Sequence, residues 1–103
     1  MKNVINYFYG ILIDKYKSRE KNFSFVFNML EYEFIQYYGD IKKLIDIYYF
    51  MQENNVITDE IIINNKNSFI TFFENKPYIL LKKNKLRQEL DLCLRIYQDI
   101  SKD

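Results

Sequence analysis

Phe23, Phe25 and Phe27 occupy every second position, with Ser24, Val26 and Asn28 between them. A period of two sends alternate side chains to opposite faces of an extended chain, and aromatic residues favour strands. Residues 31–38 alternate in the same way, with Tyr32, Phe34 and Gln36 on one side. The two stretches predict an antiparallel hairpin with its turn at residues 28–30, although Met29 and Leu30 are poor turn formers.

A period of 3.6 takes over elsewhere. Gly39-Asp40 opens the clearest helix, with Asp40 as the expected N-cap. Ile41, Leu44, Ile45, Tyr48 and Met51 form its apolar face, with Ile47 nearby, and Asn54-Asn55 ends it. Val4, Ile5, Phe8, Ile11 and Leu12 also stand at helical spacing. They predict a short helix capped by Asn3 and ending between Gly10 and Ile13. Residues 14–22 are polar and read as a connection that enters a strand late. Residues 60–64 read as a short buried strand, 65–68 as a turn and 69–73 as the next strand. Glu74-Asn75-Lys76 is a tight turn, followed by Pro77 and a strand over 78–82. A last helix is expected over 86–101, with Leu86, Leu90, Cys93, Leu94, Tyr97 and Ile100 facing inward.

This order predicts an α+β fold: a mostly antiparallel five-stranded sheet with a central helix packed on one face, plus N- and C-terminal helices. At 103 residues and 12.7 kDa the chain is sized for one domain, 1–103, with an α+β core over 4–84 and a C-terminal helix over 85–103.

Composition narrows the chemistry. Hydrophobic residues make up 49% and charged residues 28%, which excludes a disordered tail. No apolar run is long enough to cross a membrane, and the first residues lack a signal-peptide core, so a cytoplasmic protein is expected. Histidine is absent and Cys93 is the only cysteine, which excludes His-based catalysis, an intrachain disulfide and a zinc site. The chain has 15 Ile, 11 Asn, 10 Tyr and 9 Phe against 2 Gly, 1 Pro and no Ala. The abundant types have AT-rich codons, so an AT-rich genome accounts for the bias. Without Ala, the core has to be built from large side chains. Lys and Arg number 15 and Asp and Glu 14, and a net charge of +1 offers no general attraction to nucleic acid or an anionic membrane.

The order of elements, carried by residues 23–38, 39–55 and 60–84, resembles the N-terminal lobe of the kinase-like fold. It is most similar to the aminoglycoside-phosphotransferase-like branch, and within it to the spore-coat-associated kinase-like proteins of Firmicutes. The last stretch matches the family habit of a strand, a polar turn and a hairpin ending in Tyr-x-Leu-x-Lys. The resemblance implies a glycine-rich turn over the phosphates, a lysine on the third strand, a helix carboxylate that orients it, and a second catalytic lobe. This chain departs at each point. The matching turn, residues 15–22, has no glycine. Gln36 stands where the lysine is expected, which leaves Asp46 on the helix nothing to orient. A second lobe does not fit in 103 residues. The resemblance therefore implies a degenerate lobe without catalysis, cofactor or metal.

Other clusters are weaker. Lys76, Lys82, Lys83, Lys85 and Arg87 form a run without an acid. Lys82, Lys83, Lys85 and Arg87 are the candidate basic contact, although the neutral chain favours a solvated loop over a nucleic-acid site. The pairs Tyr37-Tyr38 and Tyr48-Tyr49 are stacking candidates, but such tyrosines more often straddle core and solvent. Glu31 and Glu33 share a strand face, and a solvated face is the plainer reading. The apolar residues outnumber what one small sheet can cover, so Leu86, Leu90, Leu94 and Tyr97 are the candidate interface. The expected function is a non-catalytic interaction or structural domain that binds a protein partner or itself. The alternatives are the N-terminal lobe of a larger phosphotransferase-like protein, with residual adenine contact through the backbone of Leu81 to Lys83, and a small phage- or plasmid-type inhibitor.

Overall fold

A computed structural model describes residues 1–20 and 22–86. Helix α1 spans Lys2–Tyr9 and is followed by strands β1 (Tyr16–Ser18), β2 (Asn22–Phe27) and β3 (Leu30–Gln36). Helix α2 (Ile41–Glu53) leads into β4 (Glu60–Ile62), β5 (Thr71–Phe73) and β6 (Lys76–Lys82). The fold is α+β, and every strand pairing is antiparallel. The sheet runs β1-β2-β3-β6-β4, with β5 also on β6.

Six strands replace the five expected. The extra one is β1, drawn from the polar stretch read as a connection. All three of its residues are exposed, and an edge strand held chiefly by backbone bonds needs no apolar alternation. β4 and β5 share one edge of β6, β4 opposite Leu80–Lys82 and β5 opposite Lys76–Tyr78. Both are shorter than the sequence predicts, because residues 63–70 loop out between them. The expected C-terminal helix, with Arg87, Leu90, Cys93, Leu94, Tyr97 and Ile100, lies outside the described residues.

Helix α1 begins earlier than an Asn3 cap would allow: Met1 occupies the N-cap, and its carbonyl accepts from the Ile5 N–H at 3.1 Å. The helix stops at Gly10, whose φ of 69° is the left-handed conformation glycine tolerates best, and whose N–H donates to the Asn6 carbonyl. α1 covers one sheet face. Ile5, Ile11 and Ile13 join Phe23, Phe25, Tyr32, Phe34, Tyr78 and Leu80 in the main core. Phe34 stacks on Tyr78 at 4.7 Å, and Phe25 on Tyr32 at 5.2 Å.

The pairing register puts Ile35, Ile79, Leu81 and Ile61 on the other face, and Ile61 and Ile79 are buried. Helix α2 meets this half through Tyr48. Asp40 caps it as the spacing predicts, accepting from the Lys43 N–H at 3.2 Å. Tyr48 hydrogen-bonds the backbone of Ile61 and meets Phe69 edge-on at 6.2 Å. The same register carries Lys17, Ser24 and Glu33 across β1, β2 and β3 in line with Leu81 and Ile61. That face is therefore apolar on β6, β4 and the Ile35 end of β3, and polar across Lys17, Ser24 and Glu33.

Candidate functional site

The polar half forms a shallow hollow of about 430 Å³ beside the apolar half. Lys83 stands at its inner side. Its Nζ lies 3.0 Å from Glu33 Oε2 and 3.2 Å from Asp59 Oδ2. Asn22 Nδ2 donates to the other Glu33 oxygen, and the Asn84 N–H donates to Asp59 Oδ1 at 2.9 Å. β2, β3, the entry to β4 and the exit of β6 thus each supply part of one ionic cluster. Burial alone would lower the pKa of Lys83. The hydrogen bonds and the negative charges of Glu33 and Asp59 together outweigh it, and the pKa is raised. The ammonium is held protonated, which makes it an electrostatic anchor and a poor base or nucleophile.

The outer rim is cationic. Lys15, Lys17 and Arg19 line the hollow from alternate positions along β1 and its flanks. None of the three has a carboxylate within ion-pairing distance among the described residues. The sequence carries their signal in the alternation Lys-x-Lys-x-Arg, which a search for clustered charge passes over.

The predicted basic contact is divided by the sheet. Lys82 pairs loosely with Glu60 at 3.9 Å, Lys83 belongs to the cluster above, and Lys85 is exposed. Arg87 lies outside the described residues. A run without acids in sequence therefore receives carboxylates from β3 and β4 in space. Of the candidate interface, Leu86 is 52% exposed, whereas Leu90, Leu94 and Tyr97 lie outside the described residues. Glu31 and Glu33 both line the hollow, and Glu33 is the one tied to Lys83.

The positions implied by the kinase-like resemblance do not converge. Gln36 lies at the end of the α1 face, donating its amide to the Tyr78 hydroxyl at 3.0 Å and accepting from Tyr38 at 3.0 Å. Asp46 is exposed on α2. The β1–β2 turn is closed by the Arg19 N–H donating to the Asn22 carbonyl at 2.7 Å. At the proposed adenine contact, Leu81 and Lys82 lie in the ladder between β3 and β4, and the Lys83 N–H already donates to the Glu31 carbonyl at 2.8 Å. Of the tyrosine pairs, Tyr48 and Tyr49 both flank Phe69, and Tyr38 is exposed.

Sequence reasoning reads residues 65–68 only as a turn and misses Asn64, which is 5% exposed. Its amide nitrogen donates to the Ile70 carbonyl and to Thr71 Oγ1, each at 3.0 Å. Its oxygen accepts from the N–H groups of Lys66 and Ser68. Thr71 in turn meets the Tyr9 hydroxyl at 2.6 Å, and Asn65 bonds the Tyr7 and Phe8 carbonyls at the end of α1. This network is structural: it ties α1 to the β4–β5 loop.

Among the described residues, no group of side chains could hold a metal ion, and no helix is long and apolar enough to cross a membrane. No protein-family model, curated protein or solved structure matches the chain.

Proposed function

We propose that the chain is a non-catalytic interaction domain of the cytoplasm, shaped like a degenerate kinase N-lobe, that binds a protein partner or a second copy of itself. The observation that carries this reading is α2. A thirteen-residue amphipathic helix has no fully buried side chain, while Ile47, Tyr49 and Phe50 are 45%, 49% and 64% exposed. Exposed aromatic and aliphatic groups grouped on one element favour association, because apolar surface removed from water contributes about 25 cal/mol per Å².

The lobe-like reading is supported by one antiparallel sheet with a single helix between β3 and β4. The absence of catalysis is supported by the engagement of Gln36 with Tyr78 and by the neutralisation of Lys83 between two carboxylates.

Light scattering coupled to size exclusion tests the reading across a concentration series. The mass is expected to rise above that of the monomer with concentration, or on addition of a captured protein partner. Phe50→Glu combined with Ile47→Glu should abolish that rise without changing the circular dichroism spectrum. Saturable nucleotide hydrolysis would overturn the proposal, as would association that ignores both substitutions.

A further inference from the structure

The free edge of the sheet at β1 combines three features that the α2 surface does not explain. The first is its backbone. Arg19 and Asn22 exchange hydrogen bonds in both directions across the β1–β2 turn, at 2.7 and 3.4 Å. Bonded and non-bonded pairs alternate along an antiparallel ladder. Given the register Ser18↔Phe23, Lys17↔Ser24 and Tyr16↔Phe25, Lys17 bonds β2. The N–H and C=O groups of Tyr16 and Ser18 therefore point away from β2, and among the described residues no other strand pairs there.

The second feature is charge. Lys15, Lys17 and Arg19 line one hollow, while the flanking acids Asp14 and Glu20 fall on the opposite parity. Residues two apart on a strand lie about 6.6–6.8 Å apart, the same repeat as alternate residues of any strand laid alongside. The third feature is Tyr16. It is half exposed, stacks on Phe23 at 5.0 Å and carries Lys2 over its ring at 5.4 Å. The edge thus presents cations on one face and an aromatic platform on the other.

We propose that β1 receives an extended acidic segment of a partner protein as an added strand, with carboxylates opposite Lys15, Lys17 and Arg19 and an apolar or aromatic residue against Tyr16. The inference rests on the reading of this chain as a protein-binding domain, and names the partner chemistry at a second surface. Charge chooses the occupant. Two copies of β1 laid edge to edge would bring lysine near lysine, and like charges directly opposite each other destabilise a strand pair. Cations on an edge strand also deter indiscriminate pairing. An acidic strand removes that barrier, and main-chain bonds supply affinity as in other strand-addition complexes.

The test uses the full chain and short synthetic peptides in which Glu alternates with Val and Tyr. Binding is read by fluorescence anisotropy and by amide exchange at Tyr16 and Ser18. The acidic peptide is expected to bind and to slow exchange at these two amides. A peptide with Lys in place of Glu should not bind. Lys17→Glu with Arg19→Glu should weaken binding by about tenfold or more, and raising the salt from about 0.05 to 0.5 M should weaken it as well. Ser18→Pro removes the outward donor, keeps every charge and is compatible with an edge position. It should abolish binding while the circular dichroism spectrum stays unchanged.

Equal binding to Ser18→Pro would overturn the proposal, because contact would then be charge attraction without strand addition. Binding of a thymidine oligonucleotide as tightly as the peptide would overturn it in favour of a nucleic-acid surface. Failure of the peptide to bind, with self-association through Ile47 and Phe50 intact, would sink this inference and leave the interaction-domain reading standing. Failure of both would sink the two together.

Discussion

Asn28 and Met29 adopt φ values of 52° and 65° between the paired residues Phe27 and Leu30. Two consecutive positive φ values in a two-residue hairpin loop define a type I′ turn, which favours Asn followed by Gly. Asn28 suits its place. Met29 does not, and it is 95% exposed, so packing contributes nothing to keep it. A non-glycine residue in the left-handed region costs about 1–2 kcal/mol, against which the added freedom of glycine in the unfolded chain takes back part. Met29→Gly is therefore expected to stabilise the fold by about 0.5–1 kcal/mol in urea denaturation; an unchanged or lowered midpoint would contradict the turn assignment. The same geometry recurs at Glu74 and Asn75, with φ values of 52° and 63° between Phe73 and Lys76. The first hairpin was legible from the alternation on either side of it, the second from the polar Glu74-Asn75-Lys76 between two apolar stretches. The turn type was not, since Met29 carries no turn signal and strand twist imposed the conformation on whatever residue stood there.

Among the elements, those with a strong apolar period were legible and those held by polar bonds were not. β2 and β3 follow their alternation, β6 follows its apolar run, and α2 follows its stripe and its Asp40 cap. β1 is visible only through pairing with β2. The break between β4 and β5 has a polar cause as well: Asn64 leaves the strand to satisfy three partners in the 63–70 loop and Thr71 at the start of β5, which the pattern Ile-Ile-Ile-Asn does not announce. Truncating this side chain removes the partner of the Lys66 and Ser68 N–H groups, of the Ile70 carbonyl and of part of the bonding of Thr71. Asn64→Ala should lower stability by about 2–4 kcal/mol. In chemical denaturation the loss should far exceed that of Lys66→Ala, a loop position whose side chain is exposed; equal losses would mean that the network carries no weight. The hollow shows the same division. Asp59 and Lys83 are 24 positions apart and Glu33 is 50 from Lys83, so no local window could assemble them.

At the scale of the whole molecule, three groups couple stability to alkaline pH in one direction. The phenol of Tyr9 is pushed above its ordinary value by burial, partly offset by its bond to Thr71. That of Tyr48 is raised chiefly by burial as well. A tyrosine with a raised folded pKa stays protonated in the fold when the unfolded chain has already ionised, so its contribution falls as pH rises past the ordinary value of 10.0. Lys83 is also raised. Its contribution is complete below 10.5 and is lost as pH rises through its folded value. Denaturation midpoints should hold up to about pH 9.5 and then fall. Tyr9→Phe should make that fall shallower while costing about 1 kcal/mol at neutral pH for the lost bond to Thr71; a midpoint independent of pH up to 11 would refute the coupling. Taken alone, the sequence determined the α+β class, the core strands, the capped central helix and the exclusion of histidine and multi-cysteine chemistry. Those features follow from local period and composition, which any stretch of chain expresses without its neighbours. The tertiary structure alone decided the edge strand β1, the plug at Asn64, the pairing of Lys83 with Glu33 and Asp59, and the exposure of Ile47 and Phe50. Each of these depends on which strand lies beside which, and a hydrogen bond or ion pair between distant positions leaves no periodic trace.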